Sequence, residues 1–474
     1  MALSRVQIIA FFGILFLLYL LLIPAEHTAD AYGYAAAMGR GEWWSPHHLL
    51  YQPSALLWAG FWSWTGLESI WLYSAWNSAA LLVALMAIWQ LLPPKPDRYL
   101  WVALVASSFV CLRFGTENET YAWPLALSLW GTERYLANKE GQSALFLTLA
   151  VLFHQMHVFW CLALLIYSLY TGVNRHIRWV LGMSMGALLV LAVYSQIAHE
   201  LGLDVWYFIT RDWQEGLVDR HWGFNAFALT IVNLFRSFLQ IHASTLQLFN
   251  TPWVVLFVAA AIAIGTGLFV GIKPRFAGKA WLKLPFTWIL IVHGLFALFS
   301  QGNAEFMMMV PPLLGLAWAW NYRRAAQWPI GVLVLGLFAW NGGTLLAHQW
   351  GTYGSQLQKS EQVLSHFSTD KQSVYVSINK VLLDNYLDYK KIRYSNLKIW
   401  KAPGYGTDAA ALQDSMKTLT ADVDLFIDQK SIQGKQTRAD WLGADAYNAW
   451  VDQYEWEELQ WVETQTHIYR WKRH

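Results

Sequence analysis

Long apolar blocks recur along the first three-quarters of the chain, and blocks of this kind leave a polypeptide few folds to choose from. They occupy residues 6–23, 66–92, 98–114, 120–134, 143–155, 157–171, 177–198, 252–272, 284–300, 305–320 and 329–349. Roughly 20 apolar residues in a helix match the hydrocarbon thickness of a bilayer, and the blocks show no amphipathic period. The chain therefore reads as an α-helical polytopic membrane protein of about 11 spans. The blocks at 120–134, 143–155 and 157–171 are short, so tilted, re-entrant or merged segments fit as well. A nine-span arrangement, in which 120–134 does not cross and 143–171 crosses once, keeps the same sidedness. The first block lacks a small-residue cleavage site and is expected to stay as a signal anchor.

Composition agrees: 56% of residues are hydrophobic and 14% charged, and 30 tryptophans suit a chain with many headgroup-level positions. A net charge of +2 with scattered basic residues excludes nucleic acid as a partner. Cys111 and Cys161 both lie in apolar blocks, which points away from a disulfide framework and from thiol chemistry.

Lys and Arg are retained in short cytoplasmic loops. With the N-terminus inside, the inner segments hold 13 of them, and the longer outer loops hold only Arg40, Arg113, Arg211, Arg220 and Arg236. The acids sort oppositely, with Glu26, Asp30, Glu42, Glu117, Glu119 and Glu305 among those outside, so the chemistry is expected on the outer face. Residues 1–349 form the membrane domain and residues 350–474 a small outer domain of ordinary soluble composition. Its pattern predicts strands at 373–378, 396–400 and 423–428, helices at 380–391 and 407–420, and a terminal hairpin over 459–473. That is a small α/β domain with no Gly-rich phosphate loop, and no catalytic role is expected of it.

Candidate chemistry gathers at the outer loops. "EHTADAYGY" places Asp30 at the start of a short interfacial helix, where it is either an N-cap or a functional acid. "RFGTENETYAWP" offers Arg113, Glu117 and Glu119; the two acids can share a space in an extended turn, or the loop is solvated and caps the next helix through Thr116 or Asn118. "LFHQMHVFW" sets His154 and His157 one helical turn apart, as core histidines or as a pair meeting a phosphate. His47 and His48 are adjacent, which is not a zinc spacing. Glu305 stands at the start of the tenth block, where it favours the helix N-terminus or the site. Arg211 and Arg220 sit in a long outer segment, able to hold a phosphate or to edge an interfacial helix.

This pattern resembles the glycosyltransferase C (GT-C) superfamily. The resemblance rests on Asp30 in "EHTADAYGY" just after the first span, on "ENETYAWP" in the second outer loop, and on an outer C-terminal domain. "SPHHLLY", which contains His48, and "LFHQMHVFW" are similar to stretches in bacterial members. The resemblance implies an inverting transfer of a sugar from a polyprenyl-phosphate donor to a glycan, glycolipid or protein hydroxyl, at a bacterial inner membrane and on its periplasmic face. It implies Asp30 as general base, Glu117 and Glu119 as acceptor-orienting acids, and Arg113, Arg211, Arg220 or His154 as partners of the leaving phosphate. A divalent cation on Asp30, Glu117 and Glu119 is what the oligosaccharyltransferase branch implies, and E-N-E in place of the usual Asp-containing pair argues against it. No sequon-reading motif is present, so transfer of one sugar is favoured over transfer of a whole glycan. The competing reading is a transporter or flippase for a lipid-linked amphiphile, which would place its charges inside the spans and show inverted repeats. A membrane acyltransferase using His154 or His157 leaves the acidic loops unexplained.

Overall fold

The computed structural model describes residues 4–172, 176–214, 224–241, 252–271, 278–299, 305–321, 327–350, 372–377, 379–401, 423–428, 455–461 and 466–471, with Leu357, Glu361, Leu364, Ser365 and Asp452. The expected helix at 407–420 and Arg220 lie outside them. The chain divides into two compact units, one of Met1–Pro24 with Gly41–Thr352 and one of Ala25–Arg40 with Tyr353–His474.

In the first unit the apolar blocks are helical: α1 (Arg5–Leu21), α4 (Ser69–Leu91), α5 (Arg98–Ala106) with α6 (Phe109–Gly115), α7 (Ala122–Leu136), α8 (Glu140–Phe153), α9 (Val158–Thr171), α10 (His176–Glu200), α13 (Val254–Thr266), α14 (Pro285–Phe299), α15 (Val310–Asn321) and α16 (Trp328–Trp350). Between them run α3 (Tyr51–Trp62), α11 (Val205–Gln214) and α12 (Phe224–Arg236). α1 begins on a capping box, in which Ser4 and Gln7 satisfy each other's backbone N–H.

The block at 98–114 is not one straight span. Its two helices bend by 63° at Ser107–Ser108. Both hydroxyls bond back to the preceding turn, and the N–H groups freed by the break find carbonyls elsewhere: Phe109 bonds Phe238 and Val110 bonds Ser237, each at 3.2 Å. Asn341 ties the break together, donating to the carbonyls of Ser107 at 2.9 Å and Phe238 at 2.8 Å. A broken helix at this depth is tolerated because its backbone groups are bonded within protein.

Among the described residues, Ser69–Leu91, Ile177–Glu200 and Trp328–Leu346 are long and apolar enough to cross a bilayer by themselves. α4 lies deep in the bundle, with Leu81, Ala84, Leu85 and Ile88 almost wholly buried. α10 is the opposite case, exposing Ile177, Leu181, Met185, Leu188 and Leu189. An apolar face of that extent is unfavourable in water and is what a membrane protein presents to lipid.

The second unit holds α2 (Ala29–Gly39), α17 (Lys380–Tyr389) and a five-stranded sheet of β1 (Ser373–Ser377), β2 (Leu397–Lys401), β3 (Asp424–Asp428), β4 (Trp456–Trp461) and β5 (Thr466–Trp471). Strand order is β2-β1-β3-β5-β4; β1 runs parallel to β2 and β3, and β5 runs antiparallel to β3 and β4. β1 is central and buried at every residue, which is why "SVYVS" reads as a continuous run instead of an alternation.

Candidate functional site

The loop between α6 and α7 was expected to be solvated or to open into an extended turn, and it is neither. Thr116, Glu117, Asn118 and Thr120 are completely buried and Glu119 is 3% exposed. The turn is tight, with the Glu119 N–H on the Glu117 carbonyl at 2.9 Å. Neither Thr116 nor Asn118 caps α7, whose first residue has no side-chain cap; Thr116 instead bonds back to Leu112 O at 2.6 Å.

Asn77, from the middle of α4, anchors this loop. Its Nδ2 donates to the Glu117 carbonyl at 2.7 Å and also to the Glu119 carbonyl. Tyr51, at the head of α3, donates its hydroxyl to Asn118 Oδ1 at 2.6 Å and receives Asn77 Nδ2 at 3.3 Å. The neighbouring Ser78 bonds Gly115 O at 3.1 Å. Neither Asn77 nor Tyr51 was among the expected site residues. The signal was present, because a buried Asn in an apolar span is costly unless it is bonded.

Arg113 lies one helical turn before Glu117, and its Nη1 is 3.0 Å from Glu117 Oε2. The Glu117 side chain is fully buried and that of Arg113 is 25% exposed. The buried acid therefore holds one side of a guanidinium whose remaining N–H groups have no other side-chain partner among the described residues. An arginine held in this way can present a two-pronged donor to an anion.

The histidines collect at the break between α8 and α9. His154 and His157 do not share one helix as their spacing predicts, because His154 is extended (φ −156°, ψ 115°) and ends α8. Its Nδ1 accepts from the Met156 N–H at 3.3 Å and starts a single 3-10 turn, Gln155–His157. The rings still come together, with centroids 6.4 Å apart, and His48 packs edge-on against His154 at 4.4 Å. Backbone bonds hold the 47–50 segment along the break: Gln155 N to His47 O at 3.3 Å and Leu50 N to Leu152 O at 3.1 Å. His157 Nδ1 meets Ser128 Oγ at 2.7 Å. The Nε2 atoms of His154 and His157 are buried with no hydrogen-bond partner among the described residues.

Glu305 joins the same group. Tyr121 donates to its Oε2 at 2.6 Å, and the Tyr121 ring lies 5.1 Å from that of His154. The structure thus gathers His48, His157 and Tyr121 around His154, with Glu305 bonded to Tyr121, which follows the loop of Glu117 and Glu119 in the chain. Arg211 is exposed in the last turn of α11, a helix with Trp206 exposed and Phe208 buried, as an interfacial helix has.

Asp30 belongs to the second unit. Thr28 is the N-cap of α2, its Oγ1 accepting from the Ala31 N–H at 3.1 Å, so Asp30 is not the cap. Asp30 stands in the first turn, where the helix dipole favours a carboxylate, and the side chain is exposed. Desolvation by nearby protein raises the Asp30 carboxyl above its ordinary pKa.

Among the described residues no group of three His, Cys, Asp or Glu side chains converges as a cation site requires. Glu117 Oε2 is paired with Arg113. Among the described residues, then, the side chains do not fit a bound divalent cation.

No family model matches the chain, and no curated protein does. Two solved structures are similar to it over most of its length. One is ArnT from Cupriavidus metallidurans bound to undecaprenyl phosphate, at 12% identity and a TM-score of 0.55, covering 99% of this chain and 98% of that one. The other is the archaeal oligosaccharyltransferase AglB from Archaeoglobus fulgidus in complex with an inhibitory peptide and a dolichol-phosphate, at 10% identity and a TM-score of 0.50, covering 97% and 74%. At such identities it is the backbone course that is shared, and the chain has the fold of these two structures.

Proposed function

We propose that this protein is a membrane glycosyltransferase that moves one sugar from a polyprenyl-phosphate donor to an acceptor hydroxyl. The observation that carries this reading is a fully buried acid loop with a tethered arginine and a histidine cluster, built into an apolar helical bundle of GT-C fold. Charged and polar groups at such depth are costly and mark a site that handles polar substrate. The similar structures were solved with undecaprenyl phosphate and dolichol-phosphate, which supports a lipid-phosphate ligand here.

In the proposed reaction the acceptor oxygen attacks the anomeric carbon on the face opposite the phosphate. The bond from that carbon to the phosphate oxygen breaks, its electron pair leaves with polyprenyl phosphate, and the configuration inverts. Asp30 takes the hydroxyl proton, a contribution of roughly 10²–10⁴ in rate for a positioned base. Arg113 is the first candidate to meet the leaving phosphate, with Glu117 orienting it. His48, His154, His157 and Glu305 line the polar side, Glu119 orients the acceptor, and Arg211 and Arg220 are secondary phosphate partners. The reading sets the N-terminus inside a bacterial inner membrane, with about 11 spans and residues 350–474 in the periplasm, supported by the Lys and Arg distribution.

The test is transfer of labelled sugar from a panel of polyprenyl-phosphate sugars in membranes carrying wild type, Asp30→Asn or Arg113→Ala. Loss of transfer in both folded variants is expected. Failure of the wild type to consume any donor would sink the reading.

A further inference from the structure

The short helix α2 that carries Asp30 follows the first span in the chain, yet it is built into the C-terminal domain, which the sequence reading left without a catalytic role. Four different contacts secure it. Asn385 of α17 donates Nδ2 to the carbonyl of Ala29, the residue before Asp30, at 2.8 Å. Tyr32 sets its ring against Tyr386 and Tyr389, at centroid distances of 5.2 and 5.7 Å. Arg40, just past the end of the helix, pairs with Asp388. Before the helix, Glu26 Oε1 accepts from the Leu357 N–H at 3.1 Å.

One glycine leaves room for the Asn385 amide. A Cβ on Gly33 would stand 2.9 Å from Asn385 Nδ2, closer than real Cβ atoms come to a neighbour. Alanine is the better helix former, so a glycine in the middle of an eleven-residue helix is a local weakness with a packing reason. The glycine and the amide act together: the first leaves the space, and the second uses it to hold the backbone beside Asp30.

We propose that Asn385 and Gly33 are positioning residues that orient α2 and so aim the Asp30 carboxylate. This rests on the reading of Asp30 as the general base. Asn385 acts through the Ala29 carbonyl and touches no substrate. Its loss leaves donor binding intact and weakens the proton-transfer step, because a base displaced by a fraction of an ångström loses alignment.

The experiment measures steady-state transfer in the full-length protein for Gly33→Ala, Asn385→Ala, the double variant and Asp30→Asn, with elution profile and thermal unfolding alongside. Gly33→Ala is informative because it strengthens the helix while pushing the Asn385 amide aside. The expected result is a fall in kcat of about 10- to 100-fold for each single variant, with donor KM unchanged. The double variant is expected to be no worse than Asn385→Ala alone, since both substitutions remove one interaction. Wild-type kcat in both single variants, beside an inactive Asp30→Asn, overturns the positioning role and leaves the base assignment standing. An active Asp30→Asn overturns the base assignment itself. A raised donor KM at constant kcat, or additive losses in the double variant, also overturns the positioning role.

Discussion

Tyr121 and Glu305 are 184 residues apart in the chain and share a hydrogen bond of 2.6 Å from the phenol to Oε2. The bond ties the end of the buried acid loop to the turn that opens α15. Its acceptor is a carboxylate, and a bond to a charged group contributes roughly 1.5–3 kcal/mol. Tyr121→Phe is therefore expected to lower the thermal midpoint in detergent, whereas Glu305→Gln keeps an acceptor oxygen and loses less. Equal midpoints for the two variants would mean that the ring packing against His154, and not the hydroxyl, carries the contact.

Asn77 is the next weak point. Its amide donates to two carbonyls of the acid loop, and Asn77→Asp of nearly identical shape turns both donors into acceptors aimed at acceptors. A buried polar group left unsatisfied costs about 1–3 kcal/mol, more for a charge. The variant is expected to unfold at clearly lower temperature and to expose the loop to limited proteolysis. Tyr51→Phe loses the two bonds of its hydroxyl in the same network and introduces no charge, so it is expected to lie between it and wild type. Wild-type stability in Asn77→Asp would show that the loop holds its shape by other means.

Gly115 precedes the same loop where α6 passes α4. A Cβ there would sit 2.3 Å from Leu81 Cδ2 and 3.3 Å from Leu81 Cβ. Part of the obstacle is the stem of the side chain, so a rotamer change of Leu81 does not clear it. Overpacking of this kind costs about 1–3 kcal/mol. Gly115→Ala is expected to destabilise the protein, and adding Leu81→Ala to restore part of the loss. If the pair is less stable than either single variant, the clash is not the cause.

How much of this was legible in the sequence differs between parts of the chain. The apolar blocks all recur as helices because each makes its backbone bonds within itself, and local pattern is enough for that. The bend at Ser107–Ser108 was not legible, since its freed N–H groups are satisfied by Phe238 and Ser237, more than 120 positions away. The strands at 373–377, 397–401 and 424–428 follow the runs that predicted them, while the placement of 25–40 with the C-terminal domain depends on Asn385, Tyr386 and Asp388. At the site, the residue types Glu117, Arg113, His154 and Glu305 stood out from their surroundings. What held them was less legible: Asn77 in an apolar span is a signal, but its partners in the loop and Tyr51 appear only once the loop folds onto them.

The pH dependence of transfer is the last expectation, and its sign follows from Asp30. Desolvation holds the carboxyl above its ordinary value, so the folded protein keeps the Asp30 proton to higher pH than the unfolded chain does. A general base works only when deprotonated, so transfer is expected to fall as pH drops through this raised value. The same shift acts on stability in the opposite sense. The group's contribution is fully present below the unfolded pKa and is lost as pH rises through the folded one, a small effect for an exposed side chain. A pH series of initial rates checks this, with residual transfer in Asp30→Asn expected to lack the acid limb. An acid limb of unchanged position in that variant would assign the titration to another group and remove Asp30 from the proton transfer.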